Sequence, residues 1–137
     1  MKIIIKVVFA LLFVTVMLFS VAPRYASATA GALVTQINAI DVGLSATYAG
    51  DIITVIGTTV TDIKTPLVLN IDSNITVNWQ AAYNGTISPA SSSMITINGS
   101  GEFNIIGAGS INNAGTGNTL NIAGAGTTVN ISDGGSV

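Results

Sequence analysis

Three short patterns recur in fixed order along residues 67–137, and their spacing leaves few architectures open to the chain. The first is Leu69-Asn70-Ile71, which returns as Ile95-Thr96-Ile97 and Leu120-Asn121-Ile122. The second is Val77-Asn78-Trp79, returning as Phe103-Asn104-Ile105 and Val129-Asn130-Ile131. The third is Gly85-Thr86-Ile87, followed by Gly109-Ser110-Ile111 and Gly135-Ser136-Val137. The middle asparagines of the second pattern stand at 78, 104 and 130, a spacing of 26 twice over. Self-similarity at such a period marks a stacked repeat, in which each unit buries its apolar face against the next.

Within each triplet the outer residues are apolar and the middle one is mostly Asn or Thr. That alternation sends the apolar pair to one face of a strand and the polar residue to the other. Short strands at these intervals also suit an antiparallel sandwich. A period of about 26 argues instead that each strand stacks on its own copy, about 4.8 Å away. The expected fold is all-β: a right-handed parallel β-helix with three short strands per coil and about three to four coils, its hand following the rule for parallel crossovers. Val77, Phe103 and Val129 would form one interior column, and Trp79, Ile105 and Ile131 a second. Asn78, Asn104 and Asn130 would form an outward amide ladder. The corners Asp72-Ser73-Asn74, Gly99-Ser100-Gly101 and Gly124-Ala125-Gly126 are rich in residues that tolerate positive φ.

Residues 1–28 read as a secretory signal peptide rather than part of the fold. Lys2 and Lys6 precede an apolar run from Val7 to Ala22, and Pro23 breaks it. Ala26-Ser27-Ala28 and Ala28-Thr29-Ala30 then give small-residue cleavage sites, after Ala28 or after Ala30. An uncleaved anchor helix is the rival reading, since the run approaches membrane-spanning length. The chain is therefore expected to be secreted or at the cell surface. Residues 29–49 form a cap segment: Leu33, Ile37, Ile40 and Leu44 are spaced as one helical face, predicting a short helix over the open first coil. Ala49-Gly50-Asp51 reads as a turn, and Ile52 to Val55 and Thr58-Thr59-Val60 as strands. Residues 50–137 then hold the β-helix repeats. Asp133-Gly134-Gly135-Ser136-Val137 begins a third strand without a capping pattern, so the repeats are expected to be incomplete there, as in a fragment. An open last rung also offers a surface for end-to-end self-association.

Beyond residue 28 the chain carries six acids and one base, Lys64. One base cannot neutralise a row of phosphates, which excludes nucleic acid as a partner. Cysteine is absent, so an exported fold must hold without disulfides. Histidine is absent too, removing the usual general base and the commonest metal ligand. No metal or other cofactor is expected.

The stretches LVLNIDSNITVNWQAAYNG and ITINGSGEFNIIGAGSI resemble the β-helical modules of bacterial adhesin-like cell-surface proteins, the right-handed parallel β-helix repeat proteins. The resemblance spans Gly50 to Val137. It implies an exported, non-catalytic surface module, often part of a longer chain, that contacts polysaccharide, host glycans or neighbouring cells. Pectate-lyase-like enzymes share this pectin-lyase-like architecture, so a fragment of a polysaccharide-active enzyme is the alternative, with a purely structural spacer as a third. Such lyases rely on Arg or Lys and on clustered aspartates for calcium. Here no Arg follows Arg24, and the acids at 41, 51, 62, 72, 102 and 133 are dispersed. Glycoside hydrolysis needs two carboxylates flanking one bond, and Glu102 falls opposite Thr76 and Thr128 on the repeat. The expectation is no enzyme.

Tyr83 and Trp79 are the aromatic residues placed to stack on a sugar. Alternation with Asn78 turns Trp79 inward, so packing is favoured for it. Tyr83 falls on a longer corner, Gln80 to Met94, and is the better candidate for glycan contact, although packing is the commoner role there too. The Asn-x-Ser/Thr matches at Asn74, Asn84, Asn98 and Asn130 read as turn and ladder chemistry.

Overall fold

The computed structural model describes residues 29–57 and 60–137, with Val60 and Thr61 described by their backbone alone. The expected signal peptide, and Thr58-Thr59 of the expected strand, lie outside the described residues. Among the described residues the structure is all-β apart from one short helix. Helix α1 spans Ala30–Asn38. Thr29 caps it, its hydroxyl accepting from the Ala32 N–H at 3.3 Å and so satisfying one of the helix's free donors. Ala30, Leu33 and Ile37 face the core.

The helix is shorter than the spacing of its apolar residues predicts, and Leu44 is not on it. Asp41 Oδ1 accepts from the Gly43 N–H at 2.7 Å, and the Leu44 N–H donates to the Asp41 carbonyl at 3.1 Å. This local turn redirects the chain into a strand, β1 (Leu44–Ala49), that pattern reading missed. Its first three residues alternate buried, exposed, buried. A helix and a strand separated by so short a turn can share one apolar spacing, which is why the two were confounded.

The remaining strands are β2 (Ile52–Gly57), β3 (Val60–Ile63), β4 (Leu67–Ile71), β5 (Thr76–Trp79), β6 (Ala82–Gly85), β7 (Ser93–Gly99), β8 (Glu102–Ile105), β9 (Ser110–Asn113), β10 (Asn118–Ile122) and β11 (Thr128–Ile131). Three sheets result, in the orders β1-β2-β5-β8-β11, β4-β7-β10 and β3-β6-β9. All pairings are parallel except β1 with β2, a hairpin turning through Gly50 and Asp51. From β2 onward each strand pairs with the strand three further along. The second pattern stacks in the expected register, Ile53 on Val77 on Phe103 on Val129, and Val55 on Trp79 on Ile105 on Ile131.

The other two patterns are aligned differently. Leu67, not Leu69, pairs with Ile95, while Ile95 pairs with Leu120 as expected. The slip is two residues, and side chains in a strand repeat every two, so the apolar face is preserved and alternation alone does not tell the registers apart. For the third pattern, Tyr83 rather than Ile87 pairs with Ile111, while Ser110 bridges to Ser136 as expected. Gly85-Thr86-Ile87 therefore leaves strand β6 rather than forming it. Its place is held by Asn113, whose Oδ1 accepts from the Ile87 and Gly115 N–H groups at 2.7 and 3.1 Å, and whose amide donates to the Gly117 carbonyl at 2.7 Å.

The core lies between the sheets and is built of aliphatic and aromatic side chains, running from Leu33 and Ile37 on α1 through Ile53, Leu69, Val77 and Trp79 to Ile97, Phe103 and Ile111. Gly99 shows how closely the strands approach. It holds φ at +95°, and a Cβ there would stand 2.1 Å from the Ile71 carbonyl oxygen, so only glycine fits. The cap segment shields two strand edges. The Asn38 side chain donates to the Ala46 carbonyl at 3.1 Å and accepts from its N–H at 2.6 Å, acting as one residue of a missing neighbour strand along β1. Gln36 donates its amide to the Val68 carbonyl on the outer edge of β4. At the other end of the stack the apolar residues of β10 and β11 are poorly covered, with Ile122 51% and Ile131 52% exposed.

Candidate contact surface

Of the two aromatic residues expected to touch a ligand, neither reaches the surface. Trp79 is 0% exposed, as its alternation with Asn78 requires, and its indole N–H donates to the Ala81 carbonyl at 2.9 Å. Tyr83 is also 0% exposed, which corrects its placement on an open corner. The first part of that corner is itself a strand, β6, in which Tyr83 alternates inward between Ala82 and Asn84. Its ring meets Trp79 edge-on with centroids 5.4 Å apart, and Trp79 in turn packs against Phe103 at 5.9 Å. Sugar stacking needs a solvent-facing ring, and Tyr83 and Phe103 instead pack against Trp79 inside the core. The Tyr83 hydroxyl is buried with no hydrogen-bond partner. Burial, with the Asp41 carboxylate adding to it, pushes its pKa up to about 12.

The ordered polar chemistry lies on the opposite side of the same strands. On the outer face of the five-stranded sheet, register stacks Thr47, Thr54, Asn78, Asn104 and Asn130 in one column. Asn104 donates its amide to Asn78 Oδ1 at 3.1 Å, and Asn130 to Asn104 Oδ1 at 2.8 Å. Beside it run Ile52, Thr76, Glu102 and Thr128. Glu102 ties the two columns together, accepting from the Asn130 amide at 2.9 Å and from the Thr76 hydroxyl at 3.5 Å. Asn104 spends one N–H and one lone pair on its neighbours and keeps one of each, Asn78 keeps both amide N–H groups, and Asn130, which donates to both Asn104 and Glu102, keeps its carbonyl oxygen for an outside partner. A second, shorter ladder joins Asn98 to Asn70 at 3.1 Å on the sheet of β4, β7 and β10.

A shallow depression of about 430 Å³ borders the main column, lined by Gly43, Ser45, Ile56, Gly57, Gln80 and Ala108. Ile56 is half exposed in it. Gly57 keeps its floor low, because a Cβ there would stand 2.5 Å from the Gly43 carbonyl oxygen. Sequence reading found the amide ladder but neither Thr47 nor the depression, since both depend on β1. A second depression, at the end of α1, is lined by residues including Asp41, Asp62, Lys64 and Thr65. Lys64 there pairs with Asp62 at 3.1 Å, both well exposed. Among the described residues no three acidic, His or Cys side chains gather where they could hold a metal ion. No family model, curated protein or solved structure matches the chain.

Proposed function

We propose that the chain is an exported, non-catalytic surface module of bacterial adhesin-like type, folded as a right-handed parallel β-helix and contacting glycans on a cell surface or host. In this reading the three parallel sheets are the walls of one coil. Strands β2, β3 and β4 form its first full turn, β5, β6 and β7 the second, and β8, β9 and β10 the third, with β11 and Ser136 opening a fourth. Support comes from the pairing of each strand with the one three further along. Export rests on the basic, apolar and small-residue order of residues 2–28.

The observation that carries the contact role is the outward row of Asn78, Asn104 and Asn130 amides fixed by hydrogen bonds from rung to rung. Side chains already held in place lose little further entropy when a ligand binds, so weak polar contacts sum to useful affinity. The free edges of β10 and β11, with Ile122 and Ile131 beside them, are where a second chain would pair. A glycan array probed with the purified protein, run beside an assay for uronate release, tests the reading. Retention of glycans without release is expected. Release of uronates would make the chain a fragment of a polysaccharide-active enzyme, and silence in both assays would leave a structural spacer.

A further inference from the structure

Resting on that glycan-contact reading, the geometry points to a neutral, extended polysaccharide as the ligand and to the outer face of the five-stranded sheet as its site. The chain of sugars would run along the column Thr47, Thr54, Asn78, Asn104 and Asn130, with one ring seated in the depression beside Ile56 and Ala108.

Shape, polarity and charge each bear on this. The column crosses five paired strands, so it is about 19 Å long at the strand spacing of a sheet, the reach of several sugars rather than one. It stays in register from strand to strand, which suits a polymer lying along it and not a compact branched head group. Every polar group in it is a short amide or hydroxyl, able both to donate and to accept, as sugar hydroxyls do. The adjoining depression supplies the complementary surface. Its Ile56, Gly57 and Ala108 offer apolar contact for the C–H face of a ring, and Gln80 and Ser45 flank them with polar groups. At about 430 Å³ the space is of the size that small ligands occupy.

Charge selects against anionic polymers. The face includes one carboxylate, Glu102, and none of its columns contains a base. Lys64, the single base after Arg24, lies at the other depression and is paired with Asp62. A uronate chain would bring its carboxylates to Glu102 with nothing to balance them. A neutral glucan or mannan meets no such opposition.

Affinity electrophoresis of the purified protein tests this, using gels that contain a neutral β-glucan, a neutral mannan or polygalacturonate. Retardation by at least one neutral polymer, and none by polygalacturonate, is expected. Asn104→Ala should weaken retardation roughly 2- to 10-fold, the loss of about one hydrogen bond. Ala108→Trp, on an exposed turn, should abolish it by filling the seat. Thermal melting checks that each variant is folded, and Asn104→Thr replaces Asn104→Ala if that variant is not. Neutral retardation that survives both substitutions would overturn the site and leave the glycan-contact reading standing. Retardation by polygalacturonate alone would overturn the ligand class. No retardation by any polymer, with a blank glycan array, would overturn the reading and this inference together.

Discussion

Replacing Tyr83 by Phe should make the protein more stable, which few deletions of a core polar group do. The ring is fully buried and its hydroxyl has no partner, so the folded state carries a desolvated donor and acceptor with no return. Leaving such a group unsatisfied costs about 1–3 kcal/mol, and Tyr83→Phe removes it while keeping the ring against Trp79. A gain of about 1 kcal/mol or more is expected at pH 7, raising the melting midpoint by roughly 3 °C or more. The gain should grow in alkali. Unfolded tyrosine releases its proton near its ordinary 10.0, whereas folded Tyr83 holds it to about 12. Between those two values the unfolded chain binds fewer protons, so wild-type stability, complete below pH 10, falls as pH rises towards 12. That difference sets the loss at roughly 2–3 kcal/mol, and Tyr83→Phe escapes it. Urea unfolding followed by circular dichroism at pH 7, 9, 10 and 11 measures both effects. The reasoning fails if Tyr83→Phe is less stable at pH 7, which would mean that the hydroxyl has a partner, or if the gap between the two proteins does not widen above pH 10.

Gly99→Ala should destabilise by about 1–3 kcal/mol or more, because an L residue is strained at φ +95° and its Cβ would meet the Ile71 carbonyl; chemical denaturation reads the loss directly. Asn113→Ala should cost about 1–3 kcal/mol by stranding the Ile87 and Gly115 N–H groups, and hydrogen exchange should show lost protection at Ile87 while β5 and β8 keep theirs. Ile131→Lys should reduce concentration-dependent association in sedimentation velocity, since a charge on the exposed edge of β11 discourages strand pairing; unchanged association would place the contact elsewhere.

How much of this was legible in the sequence depended on whether a residue's role was fixed by alternation or by register. Val77, Phe103 and Val129 share one spacing with the asparagines between them, so their column and the amide ladder could be read off together. Leu67 and Leu69 are both apolar and two apart, and a slip between them changes no face, so pairing with Ile95 had to come from the structure. Ile87 carries the right triplet spacing, but Tyr83 takes the paired position because Asn113 holds Ile87 in the loop beyond β6. The same local chemistry hid β1: the turn at Asp41 and Gly43 breaks a spacing that otherwise runs on as a helix. Missing β1 meant missing Thr47 and the depression, and so part of the candidate surface. The ladder was visible, while its apolar companion was assembled from residues as far apart as Gly43 and Ala108.

From β2 onward residues one repeat apart, 26 in the asparagine column, are strand partners rather than neighbouring segments, and backbone NMR tests this most directly. Isotope-labelled protein should give cross-strand amide and Hα contacts linking Asn78 to Asn104 and Asn104 to Asn130, in the pattern of parallel strands. Thr96 should show contacts to Val68 and to Asn121. Close Hα–Hα contacts between Leu69–Ile71 and Val77–Trp79, the mark of an antiparallel hairpin joining successive strands, would contradict the account.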